Sequence, residues 1–141
     1  MQNNVIKTWY FQQPMGEVWD YLTKPELIEQ WLMKCDFEPV VGRKFRFINK
    51  TKIDAYCQVL DIVPQKLLSY SWRKGKSENE ITVDSVVTWS LTEKNGGTEL
   101  QLKHSGFTTL KDYDDHNNGW DYCMNKMIER INSTYDANTK A

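Results

Sequence analysis

Hydrophobic and polar residues alternate through the middle of the chain, from Gly42 to Ser105. Successive side chains of a strand point to opposite faces, so this period of two predicts antiparallel strands with one apolar and one wet face. Asn95-Gly96-Gly97 marks a tight hairpin turn, and we expect a β-bulge where the alternation breaks, between residues 53 and 63. The inward positions carry large apolar side chains: Phe45, Phe47, Leu68, Tyr70, Trp72, Ile81, Val83, Val87, Trp89, Leu91, Leu100 and Leu102.

Patterns before and after this region predict one more strand and three helices. Residues 5–11 are β-branched and aromatic, as in a first strand, and Pro14 then opens a short helix. The segment Thr23-Lys24-Pro25-Glu26 fits a capping box at the start of a second short helix. From 117 to 135 the period is 3.6, which predicts a helix roughly 28 Å long. Its apolar stripe consists of Trp120, Cys123, Met124, Met127, Ile128, Ile131 and Tyr135.

The order of these elements predicts an α+β fold. One strand, two short helices, five or six more strands and a long helix give a curved antiparallel sheet of six to seven strands, with the long C-terminal helix packed across it. The 141 residues contain no repeat, low-complexity tract or linker. We therefore expect a single domain over 1–141, with its core at about 5–135.

Composition excludes several classes of protein. Eighteen Lys and Arg oppose nineteen Asp and Glu, and this net charge of −1 argues against nucleic-acid binding. No apolar run approaches the roughly 20 residues of a membrane span, and residues 1–4 lack the pattern of a secretory signal. Three widely spaced cysteines form no CxxC pair, so we expect neither a disulfide framework nor a zinc site. The expectation is a cytoplasmic protein without metal or other cofactor.

The aromatic content is the unusual figure. Phe, Trp and Tyr make up 13% of the chain, including six tryptophans. So many large rings must be buried in a core or line a binding site.

A series of short motifs runs in order from about residue 5 to 132. They are VWDYLTKPE at 18–26, Trp31, VGRKFRF at 41–47, VLDIVP at 59–64, LSYSW at 68–72, GTEL at 97–100, HSGF at 104–107 and GW at 119–120. Together they resemble the activator of heat-shock-protein-ninety ATPase homologue-like domains, within the START-like superfamily of birch-pollen-allergen (SRPBCC) proteins. One departure is Arg43, where the family pattern often has a second glycine.

The resemblance implies a helix-grip fold with a hydrophobic cavity between the sheet and the long helix. Its superfamily includes lipid carriers, cyclases, hydrolase-like members and co-chaperone domains, so the fold alone does not select an activity. We expect a binding protein rather than an enzyme, with a hydrophobic or aromatic small molecule as its ligand. Its walls would be Phe45, Phe47, Tyr70, Trp72, Trp89, Trp120, Met124 and Met127, with His104 as polar anchor. A plain packed core is the alternative for the same residues.

Two other functions stay open. His104 could be the general base of a hydrolase or cyclase, although Ser105, the nearest hydroxyl in sequence, points to the opposite face of the strand. A basic cluster could instead bind a chaperone or another protein partner, as in a co-chaperone module that is a monomer or a homodimer. That cluster consists of Arg43, Lys44, Arg46, Lys50 and Lys52.

The remaining candidates are weaker. The acidic run at 112–116 fails the EF-hand spacing, because its fifth and sixth positions are His116 and Asn117. We interpret it as a solvated segment before the N-terminus of the last helix. Cys57 and Cys123 are expected in the core and Cys35 on the surface.

Overall fold

The computed structural model describes the backbone of residues 3–140 and the side chains of residues 4–133. Its elements follow in this order: β1 (Asn3–Phe11), α1 (Met15–Thr23), α2 (Pro25–Trp31), β2 (Lys34–Cys35), β3 (Lys44–Asn49), β4 (Lys52–Val63), β5 (Leu67–Gly75), β6 (Ile81–Lys94), β7 (Gly97–Phe107) and α3 (Leu110–Lys140).

All the strands belong to one curved antiparallel sheet, which confirms the predicted α+β helix-grip fold. The seven strands lie in the order β1-β7-β6-β5-β4-β3-β2, so the first strand of the chain returns to pair with the last. In that pairing Val5 lies opposite His104, and Phe11 lies opposite Thr98. The helix α3 packs against α2, β1 and β7 and covers the inner face of the sheet.

The predicted turn and bulge are both present. Asn95 (φ 52°) and Gly96 (φ 80°) form the two-residue turn between β6 and β7, and positive φ at both positions is the requirement of a type I′ turn. The β4–β5 register shifts between Val59 and Asp61, which confirms the bulge. A second shift, in the β3–β4 register, leaves Asp54 as the extra residue of β4.

The last helix starts earlier than its apolar stripe predicts. It begins at Leu110 rather than near 117 and is 31 residues long. The Thr109 hydroxyl accepts a hydrogen bond from the Asp112 amide (3.1 Å), which satisfies one of the unpaired N–H groups of the first turn. The acidic run at 112–116 therefore lies inside α3, and the prediction that it precedes the helix is wrong. The side chain of Tyr135, assigned to the apolar stripe, lies outside the described residues.

The predicted capping box at Thr23 is also wrong. Thr23 is the last residue of α1, and its hydroxyl donates to the carbonyl of Trp19 (2.8 Å). Only Lys24 separates the two helices, so Lys24 is the N-cap of α2 and Pro25 takes the first helical position.

The core lies between the inner face of the sheet and the three helices. Large rings meet edge to face within it, for example Trp31 and Trp89, with ring centroids 6.0 Å apart. The Trp31 indole also donates to the carbonyl of Tyr21 (2.8 Å), which fixes α2 against α1. Among the described residues, no helix has the length and apolar character needed to cross a membrane.

Candidate functional site

A pocket of about 190 Å³ opens between the inner face of the sheet and the first half of α3. Two indole rings, Trp72 and Trp120, form part of its wall, with centroids 5.6 Å apart. We name it the indole pocket, and its lining residues are Leu32, Met33, Asp54, Trp72, Lys74, Asp115, His116, Gly119, Trp120 and Cys123.

Each element places its residues in the indole pocket for a local reason. In β5, Lys74 follows Trp72 by two positions and so points to the same inner face. Asp54 is the bulged residue of β4, and a bulge redirects a side chain out of the normal alternation. On α3, the spacing of His116, Trp120 and Cys123 is i, i+4, i+7, which is one face of a helix.

The indole of Trp120 belongs to a continuous chain of buried hydrogen bonds. Its Nε1–H donates to Nδ1 of His104 (2.9 Å). An indole only donates, so Nδ1 must accept and the histidine proton sits on Nε2. That proton is donated to the hydroxyl of Ser85 (2.8 Å), which in turn donates to the carbonyl of Trp72 (2.7 Å). Both nitrogens of His104 are therefore occupied by the protein itself.

The second indole is fixed in the same way by the other histidine. Nε1–H of Trp72 donates to Nε2 of His116 (3.3 Å), and Nδ1 of His116 bonds to the carbonyl of Asp112 (2.7 Å). Because Nε2 accepts, the proton of His116 is on Nδ1 and the ring is neutral. The two imidazoles lie close together, with ring centroids 5.1 Å apart.

Burial keeps both histidines uncharged. Burial, with smaller contributions from His116 and Lys74, lowers the pKa of His104 to about 2. The pKa of His116 is also lowered by burial, although its hydrogen bond to the Asp112 carbonyl acts in the opposite direction. His104 is therefore not poised to exchange protons near neutral pH.

Three charged side chains also line the indole pocket: Asp54, Lys74 and Asp115. Nζ of Lys74 lies 3.3 Å from a carboxylate oxygen of Asp54, and both side chains are largely shielded from water. Asp115 bonds to Lys111 one turn earlier on α3 (2.8 Å), and both of these side chains are well exposed. An apolar pocket with a few charged groups at fixed positions is typical of small-molecule sites.

The structure brings together only part of the set predicted from sequence. Trp72 and Trp120 line the indole pocket. The other members are buried within the core and do not line it: Phe45, Phe47, Tyr70, Trp89, His104, Met124 and Met127. The hydroxyl of Tyr70 accepts from the indole of Trp89 (3.1 Å), so these two polar tips satisfy each other.

Sequence reasoning missed the charged members of the pocket. Lys74 continues the inward alternation of Tyr70 and Trp72, so this signal was available. His116 shares the α3 stripe with Trp120 once the helix is extended back to the Thr109 cap. For Asp54 the broken alternation indicated only a bulge between residues 53 and 63, because the paired register is needed to identify the bulged residue of β4.

The other sequence candidates lie elsewhere. Two members of the basic cluster are paired on the outer surface, Arg43 with Glu38 and Arg46 with Asp36, both at 3.3 Å. All three cysteines are free thiols, with Cys57 buried and both Cys35 and Cys123 half-buried. In the described part of the chain, no group of three or more His, Cys, Asp or Glu side chains could hold a metal ion.

Comparison with known proteins supports the same fold. The family model described as Activator of Hsp90 ATPase homolog 1-like protein matches residues 12–132. The crystal structure of protein MLL2253 from Mesorhizobium loti is 33% identical, with a TM-score of 0.85 over 93% of this chain and 98% of that one.

Two more distant structures share the fold alone. CalU16 from Micromonospora echinospora is 22% identical, with a TM-score of 0.75 over 93% of this chain and 82% of that chain. The Aha1 dimer from Colwellia psychrerythraea is 15% identical, with a TM-score of 0.76 over 91% and 95%. No curated protein matches the chain.

Proposed function

Because the chain belongs to the family of Activator of Hsp90 ATPase homolog 1-like proteins, we propose that it binds a small apolar or aromatic molecule between its sheet and its long helix. The observation that carries this proposal is the indole pocket itself. It is an open space beside two tryptophans, whereas other rings of the core, such as Trp31 and Trp89, pack against one another.

The volume of the pocket limits the size of the ligand. An apolar cavity of about 150 Å³ is large enough to take up benzene, and the indole pocket measures about 190 Å³. One aromatic ring with a short side chain fits this space, whereas a sterol or a long acyl chain does not. Burial of the ring would contribute roughly 25 cal/mol per Å² of apolar area, less the cost of association.

In this proposal His104 is not the polar anchor, and His116 supports the wall of the pocket. His104 is fully buried, bonded at both nitrogens and separate from the pocket. His116 lines the pocket and holds the indole of Trp72 through its Nε2. Its role is to fix the orientation of that wall, against which an aromatic ligand would pack.

The two alternative functions have less support. A general base needs a free lone pair on the substrate side, and the Nδ1 lone pair of His104 already accepts from Trp120. For a surface module acting through the basic cluster, the described contacts are exposed ion pairs within the chain, of Arg43 with Glu38 and of Arg46 with Asp36, and none of them points to a partner. The fold shared with the Colwellia Aha1 dimer does not by itself assign a chaperone partner to this chain.

Filling the pocket tests the proposal. A side chain built at Gly119 meets no atom within 4 Å and lies at the pocket wall, so Gly119→Leu would occupy the space without straining the helix. Asn118→Leu is the matched control, because Asn118 is exposed on α3 and does not line the pocket.

The readout is the set of indole N–H signals in a ¹H–¹⁵N NMR spectrum, titrated with phenol, toluene and indole. We expect the Trp72 and Trp120 signals to move in the wild type and in Asn118→Leu, and to stay in place in Gly119→Leu. If all three proteins respond alike, these compounds bind elsewhere and the proposal fails.

A further inference from the structure

The charges around the indole pocket favour a ligand with one sign of charge over the other. Its lining contains the carboxylates of Asp54 and Asp115 and a single ammonium, on Lys74. The remaining titratable base, His116, is neutral, because its Nε2 accepts from Trp72. Two negative charges against one positive charge leave the lining with a net charge of −1.

The single ammonium is already engaged. Lys74 lies 3.3 Å from Asp54, in a position where its side chain is one-third exposed and that of Asp54 less than one-quarter. An anionic ligand would have to displace Asp54 from Lys74 and then lie beside two carboxylates. Like charges that are partly shielded from water repel more strongly than they do at an open surface.

A carboxylate, by contrast, is accessible to a cation. Asp115 is bonded to Lys111, which does not line the pocket and whose side chain is 82% exposed. Such exposed ion pairs stabilise little and are easily shared or exchanged. The second oxygen of Asp115 remains able to accept a further hydrogen bond.

The small part of the two indoles that reaches the pocket (Trp72 and Trp120 are each 3% exposed) acts in the same direction. The faces of an indole ring carry negative charge density and attract a cation within about 6 Å, more strongly than a Phe or Tyr ring does. Trp72 and Trp120 both line the pocket that Asp54 and Asp115 share.

We propose that the ligand of the indole pocket is an organic cation: a protonated amine on a single aromatic ring or on an apolar body of similar size. This inference rests on the proposed function and adds the charge of the ligand. The ring packs against the two indoles, and the ammonium lies near Asp115 and Asp54. A neutral or anionic molecule of the same shape binds less tightly.

Three probes of matched shape test the proposal: 2-phenylethylamine (a cation), 2-phenylethanol (neutral) and 3-phenylpropanoate (an anion). Dissociation constants come from the Trp72 and Trp120 indole signals at low ionic strength. We expect the amine to bind roughly fivefold tighter than the alcohol, which is the effect of one partly screened charge pair. We expect the carboxylate to bind more weakly than either, and added salt to reduce the advantage of the amine.

Variants separate a local charge effect from a general one. Asp115→Asn should weaken binding of the amine roughly fivefold, and by more than it weakens binding of the alcohol. Asp114→Asn is the control, because it removes the same charge from the next residue of α3, which does not line the pocket. Lys74→Met should tighten binding of the amine and weaken binding of the carboxylate.

The outcomes are distinguishable. If the alcohol binds as tightly as the amine, or if Asp115→Asn behaves like Asp114→Asn, the inference about charge is overturned while the pocket remains a binding site. If none of the three probes shifts the two indole signals at millimolar concentration, the proposed function itself is overturned.

Discussion

The burial of His104 predicts how stability depends on pH. In the unfolded chain this imidazole has its ordinary pKa of 6.5, whereas burial lowers it to about 2 in the folded protein. Between these two pH values His104 is protonated in the unfolded state but not in the folded state, so the free energy of unfolding rises with pH. The contribution of neutral, buried His104 to the free energy of unfolding is fully present above pH 6.5. It is lost progressively as the pH falls from 6.5 towards 2.

The size of the effect follows from the same two pKa values. Each pH unit below the unfolded pKa costs about 1.4 kcal/mol for one histidine that stays neutral when folded. Lowering the pH from 7 to 5 should therefore reduce the free energy of unfolding by about 2 kcal/mol through His104 alone. His116 acts in the same direction, because its pKa is also lowered.

Urea denaturation at pH 7, 6 and 5 measures this loss, with His104→Gln as the comparison. The variant should be less stable at pH 7, because it disturbs the bonds to Trp120 and Ser85, but its stability should change less with pH. A histidine NMR titration supplies an independent check that needs no variant: the His104 signal should not titrate down to pH 5. A normal titration midpoint near 6.5, or equal pH slopes in both proteins, would refute this reasoning.

Four further predictions concern stability and reactivity. Gly106→Ala should cost about 1–3 kcal/mol, because φ is +108° and the new Cβ would lie 2.9 Å from a backbone oxygen. Gly119→Ala lies in open helical surroundings and should instead stabilise the protein by about 0.5–1 kcal/mol. If thermal denaturation showed the same effect for both glycine variants, the backbone conformations given to these two glycines would be contradicted. Trp31→Phe should lower the stability by about 1–3 kcal/mol in the same assay, because it leaves the Tyr21 carbonyl without its hydrogen-bond donor. An unchanged stability would show that water replaces the indole. Burial raises the pKa of the Cys57 thiol, so a thiol reagent at pH 8 should label it only after denaturation, and rapid native labelling would disagree.

The fold was predictable because its signals are local and repeated. Alternation over β5 and β6, the Asn95–Gly96 turn and the apolar stripe of α3 each depend on neighbours in sequence, and all three agree with the structure. The two wrong predictions, the capping box at Thr23 and the start of α3, both concern helix ends, where a polar side chain can choose between several hydrogen-bond partners. Thr23 satisfies its own helix rather than the next one, and the cap at Thr109 was overlooked in favour of the apolar stripe.

The candidate site was only partly predictable, because it depends on how segments distant in sequence meet. Periodicity shows that Trp72 and Trp120 face inward, but not that the rings around Trp89 close up while a space stays open near His116. The partner of His104 was missed for the same reason. Ser85 reaches it across the β6–β7 ladder, and no spacing along the chain connects the two residues.

Intermolecular nuclear Overhauser effects test most directly whether a ligand occupies the indole pocket, beside Trp72 and Trp120. With 2-phenylethylamine bound to the wild-type protein, we predict cross-peaks from its ring protons to both indoles and to the methyl groups of Leu32. Cross-peaks confined to residues outside the indole pocket, at a concentration that saturates binding, would contradict the account.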